Sequence, residues 1–83
     1  MDTIKTFYVT IYTCTSTGLR TSNIPLFNQV GVRGVSKEDV KNYFDTEWIH
    51  DIYEENSLFK MFPNMAVQLD KIETLEEIRA SRK

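Results

Sequence analysis

The sequence predicts an α+β domain: a mostly antiparallel sheet of three or four strands with helices on one face, in the rough order β-β-β-α-(α)-β-α. Three observations carry this expectation. Residues 4–14 alternate apolar and polar side chains. The two strongest helix-start patterns, at Ser36 and Thr74, both lie in the second half of the chain. Strand-like segments come first and a helical block comes after them, which favours α+β over a doubly wound parallel sheet. A length of 83 residues suits one domain spanning 1–83.

In Ile4–Cys14, Phe7, Val9 and Ile11 alternate with Thr6, Tyr8, Thr10 and Tyr12. Period two with β-branched and aromatic residues reads as a strand. Thr15-Ser16-Thr17-Gly18 is a turn signal, with Gly18 able to take a positive φ. A second strand is expected from Leu19 toward Ile24, and Pro25 then marks an edge or an irregular loop. Val30–Val35 reads as a third strand, in which Gly31 and Gly34 suggest a bulge or a close backbone approach.

Ser36 is a good N-cap, and Glu38 and Asp39 suit the positive end of a helix. Val40, Tyr43, Phe44, Trp48, Ile49, Ile52 and Tyr53 continue at helical spacing. Asp45-Thr46 is a candidate break, so residues 37–54 form one helix or two. Ser57–Phe62 suggests a short turn ended by Pro63. Met65–Leu69 alternates as a last strand. Thr74-Leu75-Glu76-Glu77 is a capping-box pattern opening a C-terminal helix whose last residues are expected to fray. The helices should cover the Phe7/Val9/Ile11 face, leaving the Tyr8/Tyr12 face open or covered by something else.

Composition excludes several classes. The single cysteine, Cys14, allows no intramolecular disulfide and is expected to be a small sheet residue. The N-terminus shows no signal-peptide pattern, and no apolar run approaches the ~20 residues of a membrane span. The expected setting is therefore the cytoplasm. No P-loop is present, and Gly31-Val32-Arg33-Gly34 is too short for a phosphate cradle. One Cys and one His make a poor zinc site and a poor nucleophilic pair. Glu47 and His50 share a helix face, but a carboxylate-bridged metal site needs more such pairs. No cofactor, metal or catalytic set is expected. A shallow enzyme site around His50 is the least favoured reading.

Three features could carry binding. The first is the strand face with Tyr8 and Tyr12, which could grip a partner, self-associate, or stack on unpaired bases if Arg20 or Arg33 lies alongside. The second is the acidic run Asp45, Glu47, Asp51, Glu54 and Glu55, with no Lys or Arg between residues 42 and 59. It reads as a solvated helix face or, more sharply, as a docking surface for a basic protein partner. The third is Ser57–Pro63, whose large apolar residues belong to the core or leave one exposed as a hot spot.

Net charge is −2, but unevenly spread. Residues 1–36 carry one acid, Asp2, against Lys5, Arg20 and Arg33, a charge of +2. Residues 37–83 carry eleven acids against seven bases, a charge of −4. The average argues against a dedicated nucleic-acid binder, whereas the distribution leaves RNA open.

Lys5–Tyr12, Val35–Phe44 and Lys71–Ile78 give the chain a character that resembles the small accessory proteins of large tailed bacteriophages. The resemblance implies a protein that binds and blocks host factors, such as nucleases or toxin components of defence systems, in the host cytoplasm. It carries over no functional residue. The leading expectation is thus a small non-enzymatic protein that modulates or inhibits a macromolecular partner. The alternative is an RNA or single-strand-binding module using Tyr8, Tyr12, Arg20 and Arg33. Homo-oligomerisation is compatible with both.

Overall fold

Strand β1 (Lys5–Cys14) lies at the centre of the sheet. The computed structural model describes residues 3–82. It places β2 (Phe27–Gly34) and β3 (Ala66–Glu73) antiparallel on either side of β1, in the order β2-β1-β3. The alternation in β1 does what its period implies. Phe7, Val9 and Ile11 are buried on one face. Their cross-strand neighbours Val32, Val30, Phe27, Ile72 and Leu69 extend that apolar face.

The helical layer packs against this face. Helix α1 (Lys37–Tyr43), a π-helical turn (Phe44–Trp48) and α2 (Ile49–Glu55) run on without a break, and α3 (Leu58–Met61) comes next. Val40, Phe44, Ile52 and Phe59 close the core over Phe7, Val9 and Ile11. Full burial of each such side chain stabilises by about 1.5–3 kcal/mol. Tyr53 ties this layer to the sheet, accepting a hydrogen bond from the Val67 amide at 3.1 Å while its ring meets Phe59 edge-on. The last helix, α4 (Leu75–Ser81), buries Ile78 outside that principal cluster.

The expected helix starts are present. The Ser36 hydroxyl accepts from the Asp39 amide, and the Asp39 carboxylate accepts from the Val35 amide. Thr74 and Glu77 form the reciprocal capping box. The expected fraying of the C-terminus concerns in part Lys83, which lies outside the described residues.

Three details differ from the sequence reading. The strand expected over Leu19–Ile24 does not form. One bridge, Cys14 to Arg20, and two amide bonds, from Thr21 to Thr13 and from Leu26 to Ile11, are the backbone ties of this segment to β1, with the Thr13–Thr21 hydroxyl pair beside them. Its polar Thr21-Ser22-Asn23 stretch and Pro25 cannot sustain a ladder. The sheet accordingly has three strands, and the next strand begins at Phe27 rather than Val30. The last strand runs on to Glu73, well beyond Leu69. Asp45-Thr46, the candidate break between one helix and two, lies in the π turn, through which the helix runs on.

Of the bulge or close approach expected at Gly31 and Gly34, the close approach is found, and the bulge falls elsewhere. On β2, Asn28 and Gln29 together face Thr10 between the Val9–Val30 and Ile11–Phe27 pairs. Gln29 adopts a φ of 51° there, and its amide turns to the Thr10 hydroxyl. On β3, Asp70 is the extra residue between the Thr10–Lys71 and Ile11–Leu69 pairs. Both edge strands therefore bulge beside Thr10, which bends and twists the sheet locally. Gly34 serves the close approach. A Cβ there would stand 2.9 Å from Val40 Cγ2 and 3.0 Å from Asp39 Oδ2.

Gly34→Ala should accordingly destabilise the protein by about 1–3 kcal/mol, the usual cost of overpacking. Denaturant unfolding checks this, and unchanged stability would contradict the close contact. Glu77 accepts a hydrogen bond from Lys37 and a second from the Thr74 amide, which together hold its carboxyl below its ordinary range. Its contribution is present above the unfolded carboxyl pKa and lost as pH falls through the lowered folded value. Lys37→Met should raise the Glu77 titration midpoint toward the ordinary value, as tracked by side-chain NMR.

Candidate functional site: an aromatic groove with an acidic rim

The π turn decides where Trp48 goes. Ile49 donates its amide to Phe44, five residues back, and the Thr46 hydroxyl bonds the Asn42 carbonyl at 2.7 Å. Such a turn inserts one residue into the helix and rotates the residues after it about the helix axis, and it recurs at functional sites. The result keeps Phe44 in the core and sends Trp48, half-buried, to the flank of the helix beside β2.

Three rings surround Trp48. Phe27 lies 5.9 Å away and tilted, Tyr43 stacks at 6.1 Å, and Phe44 meets it edge-on at 5.9 Å. Phe27, Tyr43 and Trp48 line a groove of about 540 Å³ floored by Ile52. Asp51 and Glu55 line the same groove, and Asn56 and Ser57 close its end. A second trough of about 400 Å³ adjoins it across the Tyr43 and Trp48 rings and runs along Val30–Arg33 of β2.

The electrostatics of this groove are unbalanced. Asp51 and Glu55 are four residues apart on α2, so they share a face and repel each other. The ion pairs among the described residues are Arg20–Asp70, Lys37–Glu77 and Lys41–Asp45. None of them involves Asp51 or Glu55. Aromatic faces and carboxylates together suit an organic cation, which gains from the ring quadrupole and from the charges at once.

The acidic run is thus divided by the fold. Asp51 and Glu55 line the groove. Asp45 sits one helical turn from Lys41 and pairs with it at 3.5 Å. Glu47 and Glu54 are exposed but line neither of the two grooves. The aromatic walls escaped the sequence reading because Tyr43 and Trp48 fit the core stripe of an unbroken helix, and Phe27 lay outside the expected strands. The one available signal was Thr46, whose hydroxyl competes for a helix carbonyl.

The Tyr8/Tyr12 face is partly closed. Tyr12 and Arg20 come together as anticipated, with the guanidinium 3.9 Å from the ring centre. The same guanidinium pairs with Asp70 at the β3 bulge. Arg20 therefore crosses Tyr12 as a clasp between the loop 15–26 and the far strand. Tyr8 lies beside Gly31, whose missing side chain leaves its ring room. Arg33 is exposed and pairs with Thr6 in register, so it does not join Arg20 at Tyr12.

The remaining candidates also have clear positions. Cys14 is a buried residue at the end of β1. His50 is exposed on α2. Of the Ser57–Pro63 segment, Phe59 enters the core while Met61 and Phe62 stay 68% and 53% exposed. Among the described residues, no three His, Cys, Asp or Glu side chains gather as a metal site. Among the same residues, no helix is long and apolar enough to cross a membrane.

Asp70→Asn should loosen the Arg20 clasp at little cost to global stability, on the order of 1 kcal/mol or less for an exposed pair. The Thr21 and Leu26 amides, which hold the loop to β1, should then exchange faster with solvent. Unchanged exchange at both would show that the loop is held without the clasp.

Compared with protein-family models, with curated proteins and with solved structures, the chain matches none.

Proposed function

We propose that this chain is a non-catalytic binding protein that modulates or inhibits a macromolecular partner, and that the partner presents basic side chains to the Trp48 groove. The observation that carries this reading is the placing of two unpaired carboxylates, Asp51 and Glu55, on the same groove as Phe27, Tyr43 and Trp48. A like-charge pair four residues apart costs a free helix about 0.2–0.5 kcal/mol. A cation bound between them relieves that cost, so the arrangement favours the complex over the free protein. Desolvated aromatic anchors and complementary charge are the usual makings of a binding hot spot. The resemblance to phage accessory proteins adds the kind of role: blocking a host nuclease or defence factor by covering its basic surface.

The nucleic-acid alternative through Tyr8, Tyr12, Arg20 and Arg33 has less to rest on. The Arg20 charge is already matched by Asp70, and Arg33 is set apart from Tyr12.

Trp48 is the sole tryptophan, so its fluorescence reports on the groove directly. Hexa-arginine should shift its emission, and added salt should weaken the binding. Hexaglutamate should have no effect. Charge reversal at both Asp51 and Glu55 to Lys should weaken binding by tenfold or more, about 1.4 kcal/mol at least. Asp51→Asn alone should leave the free protein slightly more stable. An equal response to both peptides, or none to either, would sink the reading.

A further inference from the structure

Beside the groove lies an open sheet edge. β2 is an edge strand, and among the described residues no strand pairs with its outer side. Edge strands usually carry protection: a Pro, a Lys, a bulge or a covering element. On β2 the bulge is confined to Asn28–Gln29. The run Val30–Arg33 beyond it contains neither Pro nor Lys, and its one charge is the exposed Arg33. These four residues line the trough whose other wall is Tyr43 and Trp48, whereas Gly34 is buried against Val40 and Asp39. At the opposite edge, β3 carries its bulge at Asp70, held by the Arg20 clasp, with Lys71 next to it.

We infer that the outer edge of β2 along Val30–Arg33 takes up an extended segment of the partner as an added antiparallel or parallel strand, with one Arg or Lys of that segment entering the groove of Trp48, Asp51 and Glu55. This deepens the proposed function and rests on it. Strand addition joins two sources of affinity: main-chain hydrogen bonds along the edge, and pockets for alternate side chains. Successive side chains of an added strand point to opposite faces of the sheet. Those on the helical face meet the Tyr43 and Trp48 rings, and those on the other face pass Gly31, where no side chain obstructs them. The four residues Val30–Arg33 span roughly 13 Å at the rise of a strand, which matches a partner segment of about four or five residues. The groove and the trough share Tyr43 and Trp48, so one continuous segment reaches both. Asp51 and Glu55 select a basic residue where the segment enters the groove, and Arg33 in the trough favours uncharged residues along the rest of it.

The test uses the full chain and a capped hexapeptide of alternating valine and arginine. Two analogues carry N-methyl groups on the valines or on the arginines. In an added strand only one set of peptide amides faces β2. One analogue should therefore bind at least tenfold more weakly than the parent, and the other should bind nearly as well. The parent peptide should also slow hydrogen exchange in the Val30–Arg33 segment. A Trp48 response with both analogues equal and no added protection of residues 30–33 would overturn strand addition while leaving the groove reading intact. No Trp48 response to the parent peptide would overturn both. Concentration-dependent dimerisation of the chain alone, protecting the same segment, would assign this edge to a second copy and overturn the proposal.

Discussion

Everything in this molecule depends on the burial of one face of β1. Phe7, Val9 and Ile11 are packed on that face by strands on both sides and by α1, the π turn, α2 and α3 from below. A one-residue slip of β1 would send all three side chains to the other face, so the register is strongly held. Thr10, between Val9 and Ile11, is where both neighbouring strands depart from regular pairing. The rigid centre and the irregular margins belong together. The core face fixes β1, and the edge strands absorb the twist by bulging beside it. One of those bulges presents Asp70 to Arg20, and the other sets the start of the open run Val30–Arg33.

The sequence made some of this legible and hid the rest for physical reasons. Period-two alternation, the Ser36 cap and the Thr74 box are local signals, and each appears where local physics puts it. The missing Leu19–Ile24 strand shows the limit of such signals. Leu19 and Ile24 are apolar but remain exposed, because the polar residues between them and Pro25 give the segment too few pairs with β1. The acidic run was visible as a run, yet its meaning depended on helix phase. A π turn changes that phase, and the sequence hints at it only through Thr46, whose hydroxyl bonds the Asn42 carbonyl. Hence Asp51 and Glu55 could be named from sequence, but not their separation from Asp45, nor their company with Phe27.

The free protein carries a local conflict at its α2 surface, where like charges stand unrelieved above apolar rings. Soluble domains that serve only structural ends tend to intersperse opposite charges on such a face. Retaining the conflict costs little in stability, since each such pair is worth only tenths of a kcal/mol. It is concentrated where the sheet also leaves main-chain groups unpaired. Two incomplete surfaces therefore adjoin across the same two rings, Tyr43 and Trp48, and among the described residues the fold satisfies neither.

The π turn makes the helix sensitive to its own length. It amounts to one residue more than a regular helix would hold over Phe44–Trp48. Deleting a residue there would heal the hydrogen-bond ladder into ordinary α-helix. The same deletion would turn everything after it by about 100° about the helix axis. Asp51 and Glu55 would swing away from Phe27, and Ile52 would leave the core. A better-bonded helix would thus make a poorer protein, so the length of this segment is a constraint in its own right, apart from the identity of any residue in it.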